Sequence, residues 1–379
     1  MIISVLRESK DGERRVALTP DVIKLLIKKG FQVKVESGAG SNSFFSDDEY
    51  VRAGAVIAST RQEACSQDII LKVNAPSTEE VSMMKTGACC ISLLYGYTQP
   101  VLLDAFNARS ITSFGMDAIP RISRAQKMDA LSSQANLAGY KSVILGCDAL
   151  SKIFPLLMTA AGTITPSKVL IFGAGVAGLQ AVATARRLGA IVEVTDVRPE
   201  TKEQVESLGG RFLSVESDAE VKTEGGYARE VSAEFLQKQQ QLIEERIKEA
   251  DLVITTALVI GKKSPILVTE KMVDSMKKGS VIIDMAVEWG GNCELSEMNK
   301  TKVYKGVTII GEANLPSMLP INASQLYATN ISTLLMHLAS PEGLNFDREE
   351  EIAKGCLITI DGSTVHEFTN KILNASSNK

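Results

Sequence analysis

The residues Gly173-Ala174-Gly175-Val176-Ala177-Gly178 have the spacing of a turn that can cradle phosphates. Spacing alone is weak, and the surroundings strengthen it. The apolar run Val169-Leu170-Ile171-Phe172 precedes the turn and reads as a strand. Leu179–Leu188 follows as a helix that Gly189 ends, and a second strand then closes on Asp196. This is the order of a Rossmann βαβ unit. Gly173 permits the tight turn, Gly175 lets the backbone approach a pyrophosphate, and Gly178 lets the helix pack on the strand. The helix start offers unpaired N–H groups to an anion. Asp196 is placed to accept hydrogen bonds from the adenosine ribose and to repel a 2′-phosphate, so NAD is favoured over NADP. Arg198 pulls the other way, because a nearby arginine can pair with a 2′-phosphate, but the acid holds the strand end. A glycine turn without a ligand is the weaker reading.

Acid–base machinery is thin. Oxidising a hydroxyl or amine releases a proton as well as a hydride, and usually takes His, Lys or a tuned carboxylate. The two histidines, His337 in an apolar helix and His366 near the tail, read as structural or solvated. The segment Pro120-Arg121-Ile122-Ser123-Arg124-Ala125-Gln126-Lys127-Met128-Asp129-Ala130-Leu131-Ser132-Ser133-Gln134 is richer. An ordinary helix cap explains Asp129 or Ser132. It does not explain two arginines and a glutamine gathered ahead of the cap. Arg, Gln, Asp and Ser are donors and acceptors of the kind a nicotinamide carboxamide and its ribose require.

Two α/β domains, each a mostly parallel sheet flanked by helices, would position these groups. Ile2–Leu6, Gln32–Glu36, Ile69–Val73, Cys90–Leu94 and Ile111–Phe114 read as strands of the first domain. Thr19 caps a helix that begins with Pro20. Ser37-Gly38-Ala39-Gly40 reads as a turn and not as a second phosphate loop. A long helix is expected over about Met128–Phe154 and another over Ala323–Leu338, as connectors. Strands of the second domain are expected at Val169–Phe172, Ile191–Thr195, Arg211–Val215, Leu252–Thr256, Val281–Asp284 and Val307–Ile310. The expected boundaries are 1–130 with 318–379 for a discontinuous first domain, and 131–317 for the Rossmann domain.

One connection is too long for such a fold. About three dozen residues separate Arg211–Val215 from Leu252. They begin with a polar stretch holding Gly225-Gly226-Tyr227 and continue as a charged amphipathic helix, Glu230–Ala250. Long polar connections are functional lids or tolerated insertions, and spacing alone leaves both open.

Bulk properties exclude several classes. The net charge of −4 and the lack of a basic stripe argue against nucleic acid. The start, Met1–Leu6, is apolar but short and is followed by Arg7 and Glu8, so it reads as a strand and not as a signal peptide. No apolar run reaches the ~18 to 20 residues needed to span a bilayer. Six scattered cysteines without Cys-x-x-Cys, and only two histidines, suggest neither zinc nor a disulfide framework and fit a reducing compartment. No metal site is expected.

Over nearly its whole length the chain resembles domain I of the proton-translocating NAD(P) transhydrogenases, and more distantly alanine dehydrogenase. The stretches that carry this are Arg15–Pro20, Arg121–Tyr140, Met158–Thr163, Gly173–Gln180, Thr195–Arg198, Thr201–Gly210 and Gly225–Ala228. The resemblance implies that Arg121, Gln126 and Asp129 belong to a signature loop beside the nicotinamide, with Ser132 as a further contact. Ile122, Ser123 and Arg124 would line the same loop. Ala174 and Val176 in the glycine turn, Val197 and Arg198 after Asp196, and Gly226, Gln239 and Leu258 would line the rest of the NAD site. Tyr227 matches the tyrosine of a mobile loop, about 216–231, that closes over the nucleotide. This favours the lid reading of the long connection. Val231 stands where some relatives carry methionine, and Met318 follows Ser317 where arginine is common.

Alanine dehydrogenase is the rival. Arg15 and Lys72 match its substrate-binding arginine and lysine, and Glu288 its later aspartate. Its catalytic histidine would fall near Leu93-Leu94-Tyr95, where this chain has none. Transhydrogenation accounts for the missing base, because hydride passing from NADH to NADP⁺ liberates no proton at the site. One convincing dinucleotide fold implies that NADP(H) sits on a partner. The resemblance therefore implies an NAD(H)-binding subunit of a Si-specific, proton-translocating transhydrogenase. Its partners would be the NADP-binding domain of the beta subunit and a membrane-spanning subunit. It would be a homodimer, peripheral on the cytoplasmic or matrix-like side of an energy-transducing membrane.

Overall fold

Successive side chains of a strand point to opposite faces, so a sheet covered on both sides needs apolar runs. That is how the central strands are built. Val169 and Ile171 face one cluster of buried side chains, and Leu170 and Phe172 face another. Ile69, Leu71 and Val73 divide from Ile70 in the same way. A computed structural model describes residues 1–214, 233–259 and 261–377. The chain divides into two units, Met1–Gln134 with the stretch from Pro316 onward, and Ala135–Leu315. Both have the expected α/β architecture of a mostly parallel sheet flanked by helices.

The first unit holds β1 (Ile2–Val5), β2 (Gln32–Glu36), β3 (Val56–Ala58), β4 (Ile69–Asn74), β5 (Cys89–Leu93) and β6 (Thr112–Gly115). The second holds a hairpin of β7 (Leu157–Thr159) and β8 (Gly162–Ile164). Its sheet is made of β9 (Lys168–Phe172), β10 (Ile191–Thr195), β11 (Arg211–Phe212), β12 (Leu252–Thr255), β13 (Val281–Asp284), β14 (Lys300–Tyr304) and β15 (Val307–Gly311). Back in the first unit come a small hairpin, β16 (Ala339–Ser340) with β17 (Gly343–Leu344), then β18 (Leu357–Ile360) and β19 (Ser363–Thr364).

The first sheet has the order β19-β18-β6-β5-β4-β1-β2-β3, parallel from β6 to β3, with β18 antiparallel to β6. The second runs β11-β10-β9-β12-β13-β15-β14, parallel apart from β14. The helix Pro20–Lys28 starts with proline as expected, although the Thr19 side chain makes no cap bond. The turn after β2 is tied down by Asp47, which accepts from the Gly38 N–H at 2.9 Å and the Ser37 hydroxyl at 2.7 Å.

Two differences from the sequence reading have plain causes. The helix expected over Met128–Phe154 is Ala130–Ala149, and it starts late because residues Ser123–Met128 form a 3-10 turn before Asp129. The edge strands β3 and β14 were not expected; β14 has the polar, Lys-rich pattern of a half-exposed edge, KTKVY, in place of an apolar run. Among the described residues no helix is long and apolar enough to cross a membrane.

Candidate functional site

In the second unit β9 lies between β10 and β12, so the strand order reverses there. Ligands of open α/β sheets bind beyond the carboxyl ends of the strands at such a point. The chain leaves β9 directly into Gly173. This residue has φ +102°, and a Cβ on it would overlap the Thr256 hydroxyl. That hydroxyl donates to the Phe172 carbonyl at 3.0 Å, tying β12 to the turn. A Cβ on Gly178 would run into the Gly173 carbonyl oxygen. From the other side, Gly139 in the Ala130–Ala149 helix meets the Ala177 carbonyl just as closely. Gly175 differs. It is the N-cap of the helix Val176–Arg187, and a Cβ there would meet nothing within 4 Å. Among the described residues no side chain caps this helix, so its first N–H groups remain available to an anion. Two glycines are thus required by packing and one borders open space, as a pyrophosphate cradle needs. The turn fits a dinucleotide.

Asp196 follows β10 and reaches back across the turn. Its Oδ2 accepts from the Ala174 N–H at 2.6 Å and from Arg198 Nη2 at 2.9 Å. Its Oδ1 accepts from the Arg198 N–H at 2.9 Å and Arg198 Nε at 3.0 Å. Burial would raise its pKa, but these donors outweigh burial and hold the carboxyl below its ordinary range. Val197 and Leu258 are exposed apolar side chains, 67% and 54% accessible, and Val176 is 41% accessible.

The loop carrying Leu258 is held by a residue that sequence reasoning missed. The Asn292 carboxamide accepts from the Ala257 N–H at 3.0 Å, and it donates to the carbonyls of Ala257 at 2.9 Å and Pro265 at 2.8 Å. The Asn292 N–H in turn donates to buried Asp284 at 2.9 Å. The available signal was Gly290-Gly291, both at positive φ, which turn the chain back after Asp284. Gln239 lies in the helix Ala233–Glu249. Gly226, Tyr227 and Val231, with the rest of the polar stretch of the long connection, lie outside the described residues.

The polar segment of the first unit is organised around Asp129. Its carboxylate accepts from the Ser132 N–H at 2.8 Å and from the Ser132 hydroxyl at 2.6 Å, capping the long helix. Ala125 and Met128 are buried anchors, and Asn330 donates to the Lys127 carbonyl at 2.9 Å. This presents Arg121, Ser123, Arg124 and Gln126 as exposed residues, with Ile122 half-buried. Arg124 pairs with Glu350 at 3.3 Å and Glu351 at 3.5 Å.

The residues of the rival reading are already paired. Arg15 is buried and gives Nε and Nη2 to Glu13, at 2.8 and 2.7 Å, and Nη1 to Gln134 at 3.0 Å. Lys72 is buried and pairs with Glu80 at 2.7 Å. Tyr95 stands at φ +44° beside β5, and Asp117 accepts from the neighbouring Leu94 N–H at 2.7 Å. Of the histidines, His337 bonds Glu350 and His366 bonds Thr369.

Comparison with known proteins agrees with this layout. Residues 4–138 match the alanine dehydrogenase/PNT N-terminal domain, and residues 142–367 match the alanine dehydrogenase/PNT C-terminal domain. The chain is 48% identical to an NAD(P) transhydrogenase subunit alpha polypeptide of Rhodospirillum rubrum, over 97% of this chain and 98% of that one. It is 32% identical to alanine dehydrogenase 2 of Staphylococcus aureus, over 88% and 86% of the two chains. Among solved structures, a transhydrogenase from Sinorhizobium meliloti superposes with a TM-score of 0.88 at 44% identity, covering 96% of this chain and all of that one. The chain therefore belongs to the alanine dehydrogenase/PNT family, and its relatives include alpha subunits of NAD(P) transhydrogenase.

Proposed function

We propose that this chain is the NAD(H)-binding subunit of a proton-translocating NAD(P) transhydrogenase. Hydride would pass directly between NADH on this chain and NADP⁺ on the NADP-binding domain of a beta subunit. A membrane-spanning partner would couple the transfer to proton movement. The observation that carries this reading is the glycine turn. It has an uncapped helix start and open space at Gly175, and Asp196 lies across it, in a chain 48% identical to a transhydrogenase alpha subunit.

Bound NAD(H) would supply the hydride. The rest of the chemistry is positioning. The N–H groups at Gly175–Ala177 would hold the pyrophosphate and Asp196 the adenosine ribose. Arg121, Gln126, Asp129 and Ser132 would orient the nicotinamide end, with Ile122, Ser123 and Arg124 beside them, and Tyr227 would close over it. Gly226, Gln239 and Leu258 would line the site. No group on the chain need accept a proton, because direct transfer releases none. Holding two reactants in attack geometry can be worth roughly 7 to 11 kcal/mol. The natural form would be a homodimer bound peripherally at the membrane.

Amino-acid oxidation is the less supported reading. Arg15 and Lys72 are committed to Glu13 and Glu80, and no histidine stands at Leu93–Tyr95. The two readings separate on one experiment. The purified chain should bind NADH and form no NADH from NAD⁺ with L-alanine, and it should transfer hydride once an NADP-binding partner is added. NADH formation with L-alanine would overturn the proposal.

A further inference from the structure

We infer that Glu350 is a positioning residue for hydride transfer, and that the short helix it caps, Glu351–Cys356, braces the polar segment carrying Arg121, Gln126 and Asp129. This rests on the transhydrogenase reading above and goes beyond it, to what holds Gln126 in place. The segment is held from two sides. On one side the long helix Pro320–Leu338 supplies Asn330, which donates to the Lys127 carbonyl at 2.9 Å. On the other side lies the short helix. A Cβ on its Gly355 would stand 3.0 Å from Pro120 Cδ, directly ahead of Arg121. At the helix start, Glu350 Oε2 accepts from the Ile352 N–H at 2.8 Å and the Ala353 N–H at 3.0 Å, and lies 3.1 Å from His337 Nε2. These contacts fix the carboxylate. Its other oxygen, Oε1, is buried and accepts no hydrogen bond among the described residues. What faces it is Arg124 Nη1, at 3.3 Å.

Capping alone does not account for a glutamate here. Ser, Asn or Asp would cap the helix at least as well, and would stop short of Arg124. A buried carboxylate oxygen without a donor is costly unless a charge answers it, and Arg124 is that charge. Gln126 lies between the two attachments, two residues after Arg124 and one before Lys127. The Arg124 side chain is 64% accessible, so its pair with Glu350 adds little to global stability. Its effect belongs in the rate, where a small displacement of a positioning group is felt.

The test uses the full chain with Glu350→Ser and Glu350→Asn, which keep a strong cap and lose the reach to Arg124, each also combined with Arg124→Ala. Amide exchange needs neither nucleotide nor partner. In both Glu350 variants it should rise by about fivefold over residues 122–128 and stay unchanged over 352–356, as local loosening requires. Hydride transfer with an NADP-binding partner should slow by about fivefold, the most that an exposed pair is worth, while the Kd for NADH stays within about twofold. In the Arg124→Ala background, either Glu350 substitution should cost nothing further. The inference is overturned if exchange over 122–128 does not change, if neither variant slows transfer, or if the loss persists in full with Arg124→Ala. A wild type that binds NADH but passes hydride to no NADP-bound partner overturns the transhydrogenase reading instead, and the positioning role with it.

Discussion

Glu13 grips Arg15 along one edge of its guanidinium, with Nε at 2.8 Å and Nη2 at 2.7 Å, and both side chains are buried. The same carboxylate accepts from Asn74 Nδ2 at 2.9 Å and from the Ser317 hydroxyl at 2.8 Å. Glu13 thus joins the segment after β1, the end of β4 and the start of the C-terminal return. Burial would raise its pKa, but the Arg15 charge and these donors hold it far below the ordinary carboxylate range.

Glu13→Gln should lower stability by about 3 kcal/mol or more, because it leaves a buried arginine without its counter-charge. The sign of the pH effect follows. A carboxyl whose folded pKa is depressed contributes its full stability above its unfolded value of 4.5, and loses it as pH falls toward the folded value. Denaturant titrations should therefore show the wild-type advantage at neutral pH and a narrowing gap below pH 4.5. A gap that stays constant down the acid limb would show that Glu13 is not the ionised partner.

Gly175 and Gly178 should respond differently to alanine. At Gly178 the new methyl meets backbone, the Gly173 carbonyl, and the turn must open. At Gly175 it meets open space. Gly178→Ala should lose about 3 kcal/mol or more of stability, at or beyond the usual range for overpacking. Gly175→Ala should fold with nearly wild-type stability and bind NADH at least about tenfold more weakly, through lost approach of the pyrophosphate. Thermal melts with NADH titrations check both. Equal behaviour of the two variants would contradict the assigned roles.

Asn292 should act on the site through the Ala257–Pro265 loop. Asn292→Ala removes three hydrogen bonds to that loop. The Ala257 amide should exchange faster by about one to two orders of magnitude, for a loss of roughly 1 to 3 kcal/mol of local stability. NADH affinity should fall while protection of the β9 amides is retained. Unchanged exchange at Ala257 would remove Asn292 from the account.

Gln126 is exposed on the turn that Asp129 ends. Gln126→Asn shortens the side chain and leaves its amide. Hydride transfer, measured with an NADP-binding partner, should slow by about a hundredfold, as a misplacement of about 1 Å can cost. NADH affinity should change much less. Equal losses would make Gln126 a binding residue only.

What was legible in the sequence has a common physical origin. Central strands buried on both faces must be apolar throughout, so Val169–Phe172 and Ile69–Val73 stand out as runs. The glycine turn stands out because Gly173 and Gly178 meet steric demands while Gly175 borders open space, which together give the spaced pattern. Asn292 did not stand out. Its role depends on three backbone groups brought to it by a chain reversal after Asp284, and a lone asparagine carries no pattern for that. Edge strands such as Lys300–Tyr304 bury one face at most and lack an apolar run. The pairing of Arg15 with Glu13 is only two residues apart, yet the sequence alone left Arg15 open to a substrate. Asp129 was readable as a cap, and its bonds to Ser132 show that capping role directly.

The central claim is direct hydride transfer that needs no proton acceptor on this chain. Stopped-flow mixing of the NADH-loaded chain with an NADP⁺-loaded partner domain tests it most directly, using NADH that carries deuterium at both C4 positions. The expected result is NADPH that carries the deuterium, formed without proton release or uptake in the rapid phase, and no reaction with pyruvate and ammonia in the absence of the partner. NADPH lacking the deuterium, or NADH oxidation by pyruvate and ammonia on the chain alone, would contradict the account.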